Sequence, residues 1–303
     1  MKSIKIVILV FVSLLILGFA FGKFHSFDFG AKKQQKGLEI KVILNAQLQK
    51  ILEPLTFTLE PLEKSSEFFC NDGVYVEEFL SCGKEIGLSI EGQPIYVFKV
   101  GEGSKKVLFV GGLHTGTEKN TFDLAKSVLK YYNDNPEFVP KNISLYIIPV
   151  LNPDGLVKNI HNNAKGVDLN RNWPTENWQS ETYHPTYGVK KGAGGESPLS
   201  EPETESLYNF IINLHPDMVF VWHSQAGTVE SNNIGIADEL ADIYAQSVGY
   251  KHIKEWTYYV VTGDFLTAMH DINVAAAEVE IASREQEFDK NIEGVKRVLD
   301  YFE

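Results

Sequence analysis

The chain has 303 residues, 44% of them hydrophobic, which is enough for the core of one large α/β domain or two small ones. Acidic residues outnumber basic residues by 40 to 28 and give a formal net charge of −12. This charge argues against nucleic acid as the main partner, and the chain has no repeat or low-complexity tract that would indicate a structural wall or surface protein.

The N-terminus predicts export. Lys2 and Lys5 precede an uncharged run over residues 6–22, which ends in small residues before Lys23. Residues 1–22 are therefore interpreted as a signal peptide or a retained N-terminal membrane anchor. The chain is expected to be secreted, periplasmic or anchored to the outer face of the cytoplasmic membrane.

Residues 23–83 are interpreted as a tether and lead-in segment without an assigned function. They contain the only cysteines, Cys70 and Cys82. In an oxidising compartment a disulfide between them is favoured over free thiols or a thiolate metal site. A strand is predicted at 38–44 and a short helix at 75–81.

From residue 84 to residue 303, strand and helix patterns alternate, which indicates one α/β domain. Strands are predicted at 85–90, 95–100, 107–110, 143–150, 218–222 and 274–281, and helices at 121–132, 200–214, 237–247, 265–271 and 287–302. Residues 174–199 are predicted to form a long surface loop. The alternation predicts a mixed, largely parallel twisted sheet with helices on both faces, in which ligands bind beyond the carboxyl ends of the strands.

His114 and Glu118 form the first candidate site. They follow an apolar run and two glycines, and they lie four residues apart where a helical pattern begins. Both residue types are good zinc ligands, and this spacing places them on one face of a helix. The alternative is that Glu118 stabilises a helix N-terminus and His114 is an ordinary loop residue. The strand-end positions of His223 and Glu280 favour the metal site.

Several short motifs between about residue 84 and the C-terminus resemble the M14 zinc metallocarboxypeptidases, in particular their bacterial members. Besides the His114/Glu118 pair, the motifs are Gly87-Leu-Ser-Ile-Glu-Gly-Gln-Pro-Ile95, Asn152-Pro-Asp-Gly155, Asp168-Leu-Asn-Arg-Asn-Trp173, Ser200-Glu-Pro-Glu-Thr204, Trp222-His-Ser224 and Val279-Glu-Ile281. No single motif is decisive, but their number, order and spacing together are specific. The resemblance implies the zinc carboxypeptidase fold for residues 84–303.

The same resemblance implies a metal centre. His114, Glu118 and His223 would bind one Zn²⁺ ion and leave a coordination position for water. Asp168 matches the carboxylate that holds the first zinc histidine and fixes its tautomer.

A substrate grip is also implied by the resemblance. Asn170 and Arg171 match the pair that binds the terminal carboxylate of the substrate, a task for which the planar guanidinium of arginine is suited. Tyr259 is the best match for the tyrosine that covers the bound substrate, with Tyr258 as the competing choice.

Glu280 matches the general base and proton shuttle of the family. Glu278 competes for this role, because alternation along a strand places both carboxylates on the same face. The apolar-Glu-apolar pattern around Glu280 favours it.

The chain departs from the family pattern at two places. The family usually spaces its first His and Glu three residues apart, whereas here Thr117 stands at that position and Glu118 follows it. The family also commonly has an arginine where this chain has His161, which would be a weaker donor to the scissile carbonyl. Arg284 is the other arginine expected near the cleft.

The expected function is that of a zinc metallocarboxypeptidase that hydrolyses C-terminal peptide bonds with zinc-activated water and Glu280 as general base. Peptides, including those of murein, are the expected substrates. The alternatives are a zinc amide hydrolase of acylated amino acids and a catalytically inactive binding protein. Thr117 and His161 motivate the inactive alternative.

Overall fold

The computed structural model describes residues 74–76, 81–184 and 188–303. The strands are β1 (Val74–Val76), β2 (Ser81–Leu88), β3 (Pro94–Val100), β4 (Lys105–Val110), β5 (Ile143–Ile148), β6 (Thr182–His184), β7 (Gly188–Lys190), β8 (Met218–Ser224), β9 (Thr228–Ser231), β10 (Lys251–Ile253) and β11 (Ala276–Ile281). The α-helices are α1 (Lys119–Asp134), α2 (Pro153–Lys158), α3 (Pro202–Leu214), α4 (Ala237–Val248), α5 (Phe265–Asp271) and α6 (Phe288–Asp300).

The described strands form a nine-stranded sheet in the order β1-β2-β3-β5-β4-β8-β11-β9-β10 and a separate β6-β7 hairpin. The central strands β5, β4, β8 and β11 pair in parallel, and antiparallel pairs flank them on both sides. The predicted mixed sheet is confirmed. Strands β4, β5 and β8 read as continuous apolar runs because helices cover the sheet on both faces.

The two faces of the sheet carry two hydrophobic clusters. Phe109 and Phe220 belong to the cluster that packs against α1, α4 and α6. Leu108 and Val221 belong to the opposite cluster, against α3 and α5. This alternation follows from the two-residue period of a strand, and it places His223 and Glu280 on the α3/α5 side.

The helix predicted at 75–81 is wrong. Residues Val74–Val76 are a strand that pairs antiparallel with β2, which begins at Ser81. Strands β9 and β10 were not predicted, and the segment 174–199, predicted as a loop, contains the β6-β7 hairpin. These strands have three or four residues each, too few for a periodic pattern to emerge from the sequence.

Several predictions concern residues outside the described part of the chain. The export segment 1–22, most of the lead-in segment 23–83 and Cys70 all lie there. Cys82, at the start of β2, carries a disulfide bond, and its pairing with Cys70 stays a prediction. Among the described helices, none is both long enough and apolar enough to cross a membrane.

The parallel centre of the sheet positions the site. His114 follows the carboxyl end of β4, and His223 lies near the carboxyl end of β8. Strand β11 pairs with β8 in a register that sets Glu280 beside His223. The candidate residues thus meet at the carboxyl ends of the central strands, as expected for ligand sites in parallel sheets.

Candidate active site

Three buried side chains meet at the end of the central strands. They are His114, Glu118 and His223, which are 6%, 9% and 3% exposed. The Nδ1 atoms of the two histidines lie 3.2 Å apart. The carboxylate of Glu118 places Oε1 3.4 Å from Nδ1 of His114 and Oε2 3.5 Å from Nδ1 of His223.

These distances fit a zinc ion. Two ligand atoms about 2.0–2.1 Å from one metal, at a tetrahedral angle, lie about 3.3 Å from each other. Two imidazole nitrogens and one carboxylate are also the ligand types that catalytic zinc sites use, with a further position open. His114, Glu118 and His223 therefore match the predicted ligand set in both chemistry and spacing.

The unusual spacing of the first two ligands is accommodated by a 3₁₀ turn over Gly116–Glu118. Gly116 has a φ of +61°, and a Cβ there would lie 2.9 Å from the carbonyl carbon of Ile160. Glu118 consequently points inward and accepts a hydrogen bond from the backbone N–H of Ser224 at 3.1 Å. Thr117, which holds the position usual for the ligand, is exposed to solvent.

Asp168 fixes the orientation of His114. Its Oδ1 lies 2.8 Å from Nε2 of His114 and accepts the backbone N–H of Asn170 at 2.9 Å. A proton on Nε2 leaves the lone pair of Nδ1 directed at the proposed metal position. Burial lowers the pKa of His114, but the charges of Glu118 and Asp168 outweigh it and raise this pKa to about 9.

The proposed substrate grip is held by backbone contacts. Asn170 accepts the N–H of Phe265 with its Oδ1 at 2.8 Å, so its amide nitrogen must face Glu278, at 2.9 Å. The guanidinium of Arg171 donates to the carbonyl oxygen of Asn170 at 2.6 Å. Arg171 is 7% exposed and lines the cavity.

Tyr259 reaches this grip, and Tyr258 does not. The hydroxyl of Tyr259 lies 3.5 Å from a guanidinium nitrogen of Arg171, and the ring centroid is 6.0 Å from the guanidinium carbon. Tyr258 is 66% exposed and packs on Trp256. The structure therefore brings to the site the tyrosine that the sequence motif favoured.

The two glutamates of β11 have different surroundings. Glu278 accepts the amide of Asn170, and its Oε1 lies 3.5 Å from Nε2 of His223. Glu280 lines the cavity, and its carboxylate has no hydrogen-bond or ion-pair partner among the residues that the structure describes. Burial, helped by the charges of Glu118 and Glu278, raises the pKa of Glu280 to about 7 despite His223. A carboxylate with free lone pairs and a pKa near neutrality suits a general base.

His161 lies at the proposed metal position, and Arg284 does not. The ring of His161 stacks on His114 with centroids 3.9 Å apart, and its Nδ1 is 3.3 Å from Oε1 of Glu118. Burial and the nearby His114 lower the pKa of His161 to about 4, so the ring is neutral at pH 7. Arg284 lines a separate shallow groove beside α1, so its expected place near the cleft is wrong.

One cavity of about 800 Å³ is lined by the proposed metal ligands and grip residues together with Asp168, His161, Tyr259, Glu278 and Glu280. Its walls also contain Glu230 and Asp264, which the sequence analysis did not single out. Glu230 lies directly opposite Glu278 in the antiparallel pair of β9 and β11. An acidic residue in a four-residue strand gives no distinctive sequence signal, so Glu230 could not have been found from its local pattern.

A family model for zinc carboxypeptidases matches residues 80–231, a segment that includes His114, Glu118 and His223. The chain belongs to the zinc carboxypeptidase family. The match covers half of the chain and agrees with the geometry of the two histidines and the glutamate.

Two bacterial proteins are similar to this chain in sequence. The protein YqgT of Bacillus subtilis is 26% identical over 68% of this chain and 67% of its own length. Murein peptide amidase A of Escherichia coli K12 is 28% identical over 54% of this chain and 70% of its own length.

Two solved structures share the fold. The murein-tripeptide amidase MpaA of Escherichia coli O157 has a TM-score of 0.58 at 22% identity, over 72% of this chain and 91% of that one. Bovine thrombin-activatable fibrinolysis inhibitor has a TM-score of 0.61 at 18% identity, over 72% of this chain and 89% of that one. The predicted zinc carboxypeptidase-like fold is confirmed.

Proposed function

We propose that this zinc carboxypeptidase family member is an active metallocarboxypeptidase that removes the C-terminal residue of peptides. The observation that carries the proposal is the meeting of two Nδ1 atoms and a glutamate carboxylate at 3.2–3.5 Å. Glu280 lies beside this group on the adjacent strand. The donor set fits one Zn²⁺ ion, and Glu280, Arg171 and Asn170 line the same cavity.

Each residue has a distinct role in the proposed reaction. Arg171 and Asn170 bind the terminal carboxylate of the substrate and thereby place the last peptide bond at the metal position. A zinc ion at that position would acidify water and polarise the scissile carbonyl. Glu280 accepts the proton of the attacking water and delivers it to the leaving amine. Tyr259 covers the bound C-terminal residue from the side of Arg171.

Cell-wall peptides are the substrate class that we place first. The similarity to murein peptide amidase A of Escherichia coli supports this choice. The basic and apolar pattern of residues 1–22 supports it too, because an exported or membrane-anchored enzyme would meet murein. Amide hydrolysis of acylated amino acids is compatible with the same metal centre and grip.

The proposal is tested with the full chain, purified with its N-terminus intact. Zinc is measured by mass spectrometry, and release of C-terminal residues is followed by liquid chromatography on peptides, murein tripeptide and acylated amino acids. We expect one zinc per chain and release from at least one of these classes. Glu280→Gln should keep its zinc and lose about 10²- to 10⁴-fold in turnover.

Two outcomes would contradict the proposal. A wild-type protein that binds zinc but releases nothing from any substrate class is a binding protein with a retained metal site. If Glu278→Gln abolishes turnover and Glu280→Gln does not, the general base lies two residues earlier on β11 than proposed.

A further inference from the structure

Glu278 contacts two functional parts of the cavity at once. Its Oε1 accepts a hydrogen bond from Nδ2 of Asn170 at 2.9 Å and lies 3.5 Å from Nε2 of His223. Asn170 belongs to the proposed grip on the substrate, and His223 to the proposed zinc ligands. One carboxylate oxygen therefore bridges the two.

His223 needs a partner at the nitrogen that faces away from the metal position. Its Nδ1 faces His114 and Glu118, so a metal-binding tautomer carries its proton on Nε2. This nitrogen is buried and makes no hydrogen bond of good geometry with any residue in the described part of the chain. The carboxylate of Glu278 is the negative charge that lies against it.

The first zinc histidine shows what such a partner does. Nε2 of His114 lies 2.8 Å from Oδ1 of Asp168. Each histidine of the proposed ligand set thus has a carboxylate on its outer nitrogen, from Asp168 for His114 and from Glu278 for His223. Such outer carboxylates fix the tautomer and the ring orientation of a ligand and increase its basicity.

The hydrogen bond from Asn170 to Glu278 also has a fixed orientation. Because Oδ1 of Asn170 accepts the backbone N–H of Phe265 at 2.8 Å, the amide cannot turn around without losing this bond. Its nitrogen is therefore held against Glu278 by one N–H and retains a second N–H for a substrate carboxylate.

Glu278 also faces a like charge on the neighbouring strand. Glu278 lies directly opposite Glu230 across the β9-β11 pair, and like charges in this arrangement destabilise a sheet. The contacts of Glu278 with Asn170 and His223 oppose this repulsion.

We propose that Glu278 is a positioning residue that orients His223 for zinc and Asn170 for the substrate carboxylate. The proposal rests on the zinc ligand set of the proposed function. It predicts that loss of Glu278 weakens both zinc binding and substrate binding, although Glu278 belongs neither to the proposed zinc ligands nor to the proposed grip.

The test measures the zinc dissociation constant of the full chain by competition with a chelator. Glu278→Gln, which keeps the shape and removes the charge, should weaken zinc binding by about 10- to 100-fold. Glu278→Ala should weaken it further, because it also removes the acceptor. Glu230→Gln is the matched control, since it removes the same charge from the opposite strand without a contact to His223 or Asn170, and it should change zinc affinity by less than about threefold.

Two further measurements separate orientation from a general loss of structure. Cobalt-substituted Glu278→Gln should show an altered visible absorption spectrum, and cobalt-substituted Glu230→Gln should not. At saturating zinc, the KM of Glu278→Ala should rise several-fold, because the amide of Asn170 loses its acceptor. The circular dichroism of all variants should match the wild type.

The outcomes distinguish this inference from the proposed function. If the wild-type protein, Glu278→Gln and Glu230→Gln all bind zinc equally well, Glu278 does not orient His223. This inference is then wrong, while the proposed function is unaffected. If the wild-type protein binds no zinc, the proposed function fails, and the inference fails with it.

Discussion

Glu118 reaches the proposed metal position although it stands one residue later than the family's usual ligand. Its carboxylate lies within 3.5 Å of both proposed histidine ligands, whereas Thr117 is exposed. We expect Glu118→Ala to lower zinc occupancy sharply while the fold is retained, because one of three protein ligands is lost. Metal analysis after dialysis measures this.

Thr117→Ala is the matched control for this experiment, because it truncates the neighbouring residue without touching the proposed metal position. It should keep full zinc occupancy. Full occupancy in Glu118→Ala would show that Glu118 is not the displaced ligand, and loss in Thr117→Ala would point to the turn itself.

His161 is the residue at which the proposed catalysis departs most from an arginine-based site. The ring is neutral at pH 7, because burial and His114 lower its pKa to about 4. A neutral imidazole offers one N–H where arginine offers five and a permanent charge. We therefore expect His161→Arg to raise turnover and His161→Ala to lower it by about tenfold or more, measured as kcat at saturating zinc.

The opposite result is also informative. If neither substitution at His161 changes turnover, this residue has no part in catalysis. Arg171 would then be the arginine that remains to stabilise developing charge, because Arg284 lies in a different groove.

For two roles the sequence offered a pair of candidate residues, and only the resemblance to family motifs favoured Glu280 and Tyr259 within these pairs. Glu278 and Glu280 share one face of β11, so periodicity does not separate them. Tyr258 and Tyr259 lie outside the helices and strands, where no periodicity applies. Tertiary contacts do separate them. Glu278 accepts the amide of Asn170, whereas Glu280 has no hydrogen-bond partner among the described residues. Tyr259 contacts Arg171, and Tyr258 packs on Trp256.

At the scale of elements, the 3₁₀ turn over Gly116–Glu118 makes the four-residue ligand spacing workable. Gly116 has a φ of +61°, and a Cβ would meet the backbone of Ile160 at 2.9 Å and of His161 at 3.0 Å. We expect Gly116→Ala to lower the free energy of unfolding by more than the ~1–2 kcal/mol of backbone strain and to weaken zinc binding. Denaturant unfolding and chelator competition measure the two effects.

Gly92→Ala provides the control for the backbone strain alone. Gly92 has a φ of +80° in the turn between β2 and β3, and a Cβ there would meet nothing within 4 Å. It should cost stability but leave zinc affinity unchanged. Equal zinc affinity in both glycine variants would show that the turn at Gly116 does not position Glu118.

The elements that the sequence predicted and those it missed differ in their environment. Strands β4, β5 and β8 are covered on both faces, so each reads as an apolar run that is visible without the fold. Strands β1, β9 and β10 are short and depend on pairing with a neighbouring strand. Strand β1 pairs with β2, β9 pairs with β11, and β10 pairs with β9. Such pairing depends on residues distant in the chain, which local pattern does not report.

At the scale of the whole molecule, the cavity is lined by more carboxyl groups than the proposed reaction uses. Glu230, Asp264, Glu278 and Glu280 all line it, and Arg171 is their principal buried cation. Burial raises the pKa of Asp264 as well as those of Glu230 and Glu280. This concentration of acids makes the stability of the folded protein depend on pH.

Glu230 shows the direction of that dependence. Burial raises its pKa from 4.5 to about 7, helped by the charges of Glu278, Asp264 and Glu255 and opposed by the N–H of Trp256. The folded state therefore binds more protons than the unfolded state between these two values, and the free energy of unfolding falls as pH rises through this window. Above it the destabilisation by Glu230 is fully present, and below pH 4.5 it is absent.

We expect Glu230→Gln to remove this part of the pH dependence while its amide oxygen still accepts the N–H of Trp256. The variant should match the wild type near pH 4.5 and be more stable at pH 8, by on the order of 1 kcal/mol, because the partly exposed carboxylate is screened by solvent. Urea unfolding of both proteins at several pH values measures this, with a chelator present so that zinc binding does not add to the stability. If the difference between the two proteins does not grow with pH, the carboxylate of Glu230 is not destabilised by its surroundings in the folded state.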